Sequence, residues 1–109
     1  MTLNEFQQAC HATNNYSDEA IKRGALFAGL TGEAGEAAEQ YKKMLRDDNC
    51  QWTPERVKKA ALEVFDCMWY CVETLWSLGY SFDDVANMGI DKLARRAAEN
   101  KIHGEGSDR

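Results

Sequence analysis

Apolar residues recur at three- and four-residue steps along most of the chain, the spacing of one face of an α-helix. Thr2 and Glu5 form a T-x-x-E capping box, which opens a short helix over about residues 3–12. Leu3, Phe6 and Cys10 share one face of it. Asn14-Asn15-Tyr16-Ser17 reads as a loop, and Ser17 is a suitable cap for the next helix. That long second helix is predicted over about residues 18–45, with Leu26, Leu30, Ala34, Ala37, Tyr41, Met44 and Leu45 as its apolar stripe. Gly24, Gly29, Gly32 and Gly35 each cost it about 1 kcal/mol against alanine. A break near Gly24 or Gly29, and close helix approach at Gly32 and Gly35, are the two expectations they raise. Thr53-Pro54-Glu55 is a strong start for a third helix, which runs to Leu78 and stops at Gly79. Ser81 caps a fourth over residues 82–98, and so short a connection predicts that helices three and four are antiparallel neighbours. Residues 99–109 are polar and read as a tail. The expected fold is all-α: a single domain, residues 1–109, forming a bundle of about four helices.

The third helix carries the strongest pattern. At about 100° per residue, Val57, Ala61, Val64, Phe65, Met68, Val72, Leu75 and Trp76 form one broad stripe, widened by Leu62 and Trp69 on one side and by Cys67 and Cys71 on the other. A helix apolar over so much of its surface is buried on more than one side. A chain of 109 residues has difficulty doing this alone, so the bundle is expected to be completed by oligomerisation, as a homodimer or a dimer-of-dimers tetramer. The narrow polar sector that remains holds Glu63, Asp66, Tyr70 and Glu73. On the second helix Glu33 lies at the edge of the apolar stripe, and Glu36 and Glu39 step towards the polar side. Glu33 and Glu36 are therefore the inward pair, and Glu39 the solvated or supporting acid.

Composition narrows the partners. A net charge of -5 argues against binding a nucleic acid polymer, which would need a basic face. No apolar run approaches the roughly 20 residues of a membrane span, and nothing at the N-terminus resembles a signal peptide. Cys10, Cys50, Cys67 and Cys71 contain no C-x-x-C pair and are read as reduced packing residues of a cytoplasmic protein.

Two pairs of acids remain, Glu33 with Glu36 and Glu63 with Asp66, each at i, i+3 within a mostly apolar helix. Such pairs are common on exposed faces, but three details set these apart. Glu63 and Asp66 interrupt a helix that is apolar nearly all round, and Glu33 and Glu36 sit among small residues. Neither pair has a lysine or arginine four residues on: those positions are Ala37, Gln40, Cys67 and Tyr70. Two such helices face to face would gather four carboxylates, which cannot stay ionised in a partly dry site without added positive charge. A hard divalent cation supplies it, and an all-oxygen donor set suits Mg²⁺ or Mn²⁺ better than iron or zinc.

With these residues in place the chain resembles the MazG-like nucleoside triphosphate pyrophosphohydrolases of the all-α NTP pyrophosphatase superfamily. Their signature is E-x-x-E, a spacer, then E-x-x-D. It reads here Glu33-Ala34-Gly35-Glu36, 26 residues, then Glu63-Val64-Phe65-Asp66. The run from Gly29 to Glu39 is similar to the family's G-L-x-G-E-A-G-E-x-x-E, and Lys92-Leu93 with Arg95 and Arg96 to its K-L-x-x-R. The glycine-bearing ending from Ile102 looks like a tail found in some members. The resemblance covers roughly residues 3–109. It implies cleavage of a nucleoside triphosphate between the α and β phosphates, by a water that Mg²⁺ activates. It implies Glu33, Glu36, Glu63 and Asp66 as catalytic metal ligands, with Mn²⁺ able to substitute. Lys92 and Arg96 become candidates for phosphate contact, although cations in the last turns of a helix also favour its negative end. Tyr70 is either a stacking partner for the base or a packed core residue. Trp52 and Trp69 are read as core or interface residues, and His11 as a surface residue of the first helix. One departure from the pattern stands out: where many relatives carry Asn three residues before the lysine, this chain has Gly89.

Two other readings compete. One is a helical interaction module whose acidic clusters bind a partner. The other keeps the superfamily and changes the substrate, to dUTP or phosphoribosyl-ATP.

Overall fold

The computed structural model describes residues 1–16 and 18–99, without the side chains of residues 20–22. Its elements are α1 (Leu3–His11), α2 (Glu19–Asp47), α3 (Pro54–Ser77) and α4 (Phe82–Ala98), an all-α bundle with no strand among the described residues. Local chemistry starts three of them. Thr2 accepts a hydrogen bond from the Glu5 amide while Glu5 takes the Thr2 amide, the expected capping box. Thr53 accepts from the Arg56 amide ahead of α3, with Pro54 at its first position, and Ser81 accepts from Asp84 ahead of α4. The capping role expected of Ser17 and the tail from residue 100 onward lie outside the described residues. Gly79 ends α3 with φ +84°, a conformation that favours glycine.

α2 runs without a break through all four of its glycines, which corrects the expectation of an interruption at Gly24 or Gly29. Helical hydrogen bonding extends over 29 residues, and packing along α3 offsets the glycine cost. The close approach is also elsewhere than expected. A Cβ at Gly32 or Gly35 would meet nothing within 4 Å, whereas one at Gly29 would collide with the ring of Tyr70.

α2 and α3 pack antiparallel along their length. The Arg23 guanidinium donates to the Ser77 carbonyl at 3.1 Å, Gly29 abuts Tyr70, and Arg56 donates to Gln40 Oε1 at 3.0 Å. Arg56 also reaches back to Asp48 at 2.7 Å, which pins the α2–α3 connection and holds the Asp48 carboxyl below its ordinary value. On the other flank α1 lies across α3. The Phe6 ring meets Phe65 edge-on at 6.0 Å, and Phe6 also approaches Phe82 at 6.3 Å. The buried Gln7 amide joins three helices: it donates to the Val72 and Tyr80 carbonyls and accepts from the Phe82 amide. α4 packs on α1 and shares only a short contact with α3. Helices three and four are therefore not lengthwise neighbours, because Gln7 and Asn4 draw the start of α4 onto α1.

The core is small. Among the described residues Cys10, Leu26, Met44 and Val72 are the buried apolar ones. The second-helix stripe splits accordingly: Leu26 and Met44 are inside, while Tyr41 and Leu45 are exposed with Phe27. On α3, Val57, Val64 and Met68 are exposed as well. These residues stand one or more positions off the packed faces of two antiparallel helices. A one-residue step turns both helices towards the same side of the pair, opposite α1.

The glycines give a direct test of this packing. Gly29→Ala is expected to destabilise the protein by about 1–3 kcal/mol, because Tyr70 must move. Gly24→Ala, with open space around it, should stabilise by up to about 1 kcal/mol. Urea unfolding of the two variants beside the parent measures both, and equal effects would contradict the Gly29–Tyr70 contact.

Candidate metal centre

The antiparallel register decides which acids meet. Gly29 opposes Tyr70 and Gln40 opposes Arg56, so Glu33 and Glu36 fall opposite Asp66 and Glu63. Glu33, Glu36 and Glu63 each place a carboxylate oxygen within 4.8 Å of the others, close enough to share one cation. The Glu36 carboxylate adjoins those of both Glu33 and Glu63, one on its own helix and one on the facing helix. Glu33 and Glu63 are half-buried, and Oε2 of each is buried with no hydrogen-bond partner. Burial first, then the neighbouring acids, raise the Glu33 carboxyl above the ordinary glutamate value, with Glu36, Asp66 and Glu63 contributing in that order. Glu63 is raised in the same way, by burial and then by Glu36 and Asp66. Asp66 stands outside the group of three but lines the same cleft as Glu33.

That cleft holds about 320 Å³ and is walled by Glu33, Phe65, Asp66, Trp69 and Tyr70. Tyr70 fills the space left by Gly29; the neighbouring Tyr16 hydroxyl, then burial and the nearby acids, push its phenol up to about 12. Trp69 is not in the core. Its ring meets Tyr70 edge-on at 4.9 Å, and its indole nitrogen donates to Thr13 Oγ1 at 2.8 Å. The sequence signal was present, since Trp69 follows Asp66 by three residues and so shares its side of the helix. Trp52 packs near Tyr41 with ring centres 6.3 Å apart, away from this cleft.

The polar sector of α3 divides. Glu73 does not join the other acids: it is buried under the end of α1, where Oε1 lies 3.0 Å from His11 Nδ1 and accepts from Asn14 at 2.6 Å. His11, at the end of α1, is half-buried: it stacks flat on Trp76, ring centres 3.7 Å apart, and keeps 32% of its side chain exposed. Glu39 is exposed and paired with Lys42 at 3.2 Å, the solvated role expected of it. Lys92 and Arg96 stand on α4, half-buried and buried respectively. Among the described residues α4 makes no contact with α2, the helix of Glu33 and Glu36.

In sequence the chain is similar to the Gene 37 protein of Mycobacterium phage L5. The two are 36% identical over 104 residues, which covers 85% of this chain and 91% of the phage protein. The chain belongs to the family of that phage protein. No protein-family model matches it, and no solved structure matches it. No helix is long and apolar enough to cross a membrane among the described residues.

The acid cluster has a defined signature in stability. A carboxyl raised in the folded state binds more protons folded than unfolded. Cation-free protein should therefore lose stability as pH rises from the ordinary glutamate value through the raised one, and stay lower above it. Divalent cation opposes this by taking the place of the proton. Thermal unfolding from about pH 5 to pH 8, with EDTA or with Mg²⁺, reads both effects. Glu63→Gln should raise the stability of the cation-free protein at neutral pH and abolish the response to Mg²⁺. A Mg²⁺ response that survives Glu63→Gln unchanged would place the cation elsewhere.

Proposed function

We propose that the protein is a Mg²⁺-dependent nucleoside triphosphate pyrophosphohydrolase, cutting a nucleoside or deoxynucleoside triphosphate between its α and β phosphates. The observation that carries this reading is the pair of orphaned oxygens: Glu33 and Glu63 come from different helices, and each keeps a buried Oε2 without a partner beside Glu36. A native interior seldom leaves such atoms unsatisfied, and a cation shared among the three acids would satisfy them. The donors are all carboxylate oxygens, which fits Mg²⁺, with Mn²⁺ as a substitute. Glu33, Glu36 and Glu63 would hold the cation, with Asp66 beside them on the cleft wall. A divalent ion bound there neutralises triphosphate charge and acidifies a water for in-line attack.

The chain's own residues supply the rest. At a net charge of -5 the protein repels a free triphosphate, so the acids and their cation must carry the attraction. A cleft of about 320 Å³ admits part of a nucleotide, and Tyr70 and Trp69 offer it aromatic surface. One of the three glutamates would accept a proton from the attacking water. The motif resemblance selects this chemistry from what an acidic cleft can do.

The acting form is proposed to be a homo-oligomer, a dimer or a dimer of dimers, working in the cytoplasm where its four unpaired cysteines stay reduced. Its radius of gyration of 16.8 Å compares with about 13 Å for a compact chain of this length. The exposed Phe27, Tyr41, Val57, Val64 and Met68 form a single side of the α2–α3 pair that a second copy would cover. Lys92 and Arg96 are proposed to contact phosphate, from this α4 or from that of another copy.

Two measurements test the proposal. Purified protein with Mg²⁺ should release pyrophosphate and the monophosphate from at least one common nucleoside triphosphate. Glu36→Gln or Glu63→Gln should lower kcat by about a hundredfold or more. Release of orthophosphate alone, or a parental rate in Glu63→Gln, would refute the assignment. Sedimentation equilibrium should give two or four times the 12.3 kDa chain mass. Met68→Lys should lower that mass, by placing a charge on the exposed stripe.

A further inference from the structure

α4 packs on α1 along one edge and leaves an apolar stripe open beside it. Val85, Gly89, Lys92 and Arg96 form that inner edge, the first three half-buried and Arg96 buried. One residue further on, at the same spacing of four, three and four, stand Ala86, Ile90, Leu93 and Ala97. A one-residue step turns this second stripe about 100° away from the packed edge. Ile90 is accordingly 64% exposed and Leu93 47%. The stripe is separate from the open side of the α2–α3 pair, since among the described residues α4 meets α1 and α3 and makes no contact with α2.

We propose that this stripe is a second interface between copies of the chain: α4 pairs antiparallel with α4 of another copy, about a two-fold axis between Ile90 and Leu93, and joins hairpin dimers into a dimer of dimers. The inference rests on the hairpin side being the first interface, and it is independent of what the cleft binds. The stripe's own pattern favours a second copy as its occupant. It reads the same in both directions, small, large, large, small, at a spacing that is also symmetric. An antiparallel copy therefore sets Ile90 against Leu93 of the partner subunit, and Ala86 against Ala97 of the partner subunit, where small side chains let the backbones approach. A two-fold interface requires self-complementarity of this kind. Charge agrees with it. α4 begins with Asp83 and Asp84 and ends with Arg95 and Arg96, so antiparallel pairing lays the acidic turn of each helix beside the basic turn of the other. Parallel pairing would lay like charges together. Size decides the order of assembly. One four-residue stripe falls short of the roughly 1,200 Å² that a stable interface buries, so α4 alone does not make a dimer. A hairpin dimer carries two such stripes, and once one α4 pair has formed between two dimers the other forms within the same assembly.

Sedimentation equilibrium of the full chain tests this. The parent should reach four times the 12.3 kDa chain mass and pass through a dimer on dilution. Ile90→Lys and Leu93→Glu each put a charge at an exposed position of α4, and each alone should stop at the dimer with the parent's helical circular dichroism. An equimolar mixture of the two should return to the tetramer, because the opposite charges then meet across the α4 pair. Met68→Lys, on the hairpin side, should instead fall to the monomer. Ile90→Ala removes apolar surface without adding charge, and should weaken the tetramer about tenfold or more even if a charged variant fails to fold. A tetramer unaffected by all three α4 variants, or a mixture that stays dimeric, would overturn the pairing. So would an unchanged mass with a lowered unfolding temperature in Ile90→Lys, since the stripe would then be covered within its own chain. Ile90→Lys as a monomer beside Met68→Lys as a dimer would make α4 the first interface and overturn the order proposed. A parent that is only a dimer overturns the inference and leaves the hairpin interface standing, whereas a monomeric parent overturns both. The pyrophosphohydrolase reading stands or falls separately, on pyrophosphate release.

Discussion

The antiparallel contact of α2 with α3 is the interaction on which the rest depends. Its register is held at three places: Arg23 on the Ser77 carbonyl, Gly29 against Tyr70, and Arg56 between Gln40 and Asp48. Rotating either helix by one residue would turn its carboxylates about 100° out of the interface. With the register fixed, Glu33, Glu36 and Glu63 have no choice but to share space. The raised carboxyls and orphaned oxygens of Glu33 and Glu63 follow from that geometry, which buries them and sets other acids beside them. Gathering three carboxylates at the centre of the hairpin is unfavourable while they stay ionised and uncompensated.

Much of this was legible in the chain. Helix starts are local chemistry, so Thr2 with Glu5, Thr53 with Pro54, and Ser81 read correctly from neighbours alone. The acid pairs were legible because two carboxylates a turn apart must share a side of their helix. What periodicity does not encode is which neighbour covers which side of a helix that is apolar nearly all round. Glu73 shares a sector with Glu63 and Asp66, yet α1 takes it and α2 takes them. The four glycines of α2 looked alike, and only the position of Tyr70 on the facing helix separates Gly29 from Gly32 and Gly35. The placing of His11 and Trp69 was not legible for the same reason: each partner lies more than fifty residues away in the chain, at Glu73 and Thr13. The separation of α4 from α3 hangs on one buried amide, Gln7, that no pattern of apolar positions announces.

A small apolar core makes the charge cluster a larger fraction of the stability than it would be elsewhere. Among the described residues four buried apolar side chains carry the interior, while a line of Phe27, Tyr41, Val64 and Met68 stays open. Covering that line removes apolar surface from water at about 25 cal/mol per Å². A second copy seated there would stiffen the same two helices whose register holds the acids. A cation between the acids would do so from inside, by cancelling the repulsion that pushes the helices apart. Two events that favour one arrangement of one hairpin are linked, and each must strengthen the other by the same factor. On the proposed reading, assembly and cation binding are therefore two halves of one equilibrium, joined through the contact of Glu33 and Glu36 with Glu63.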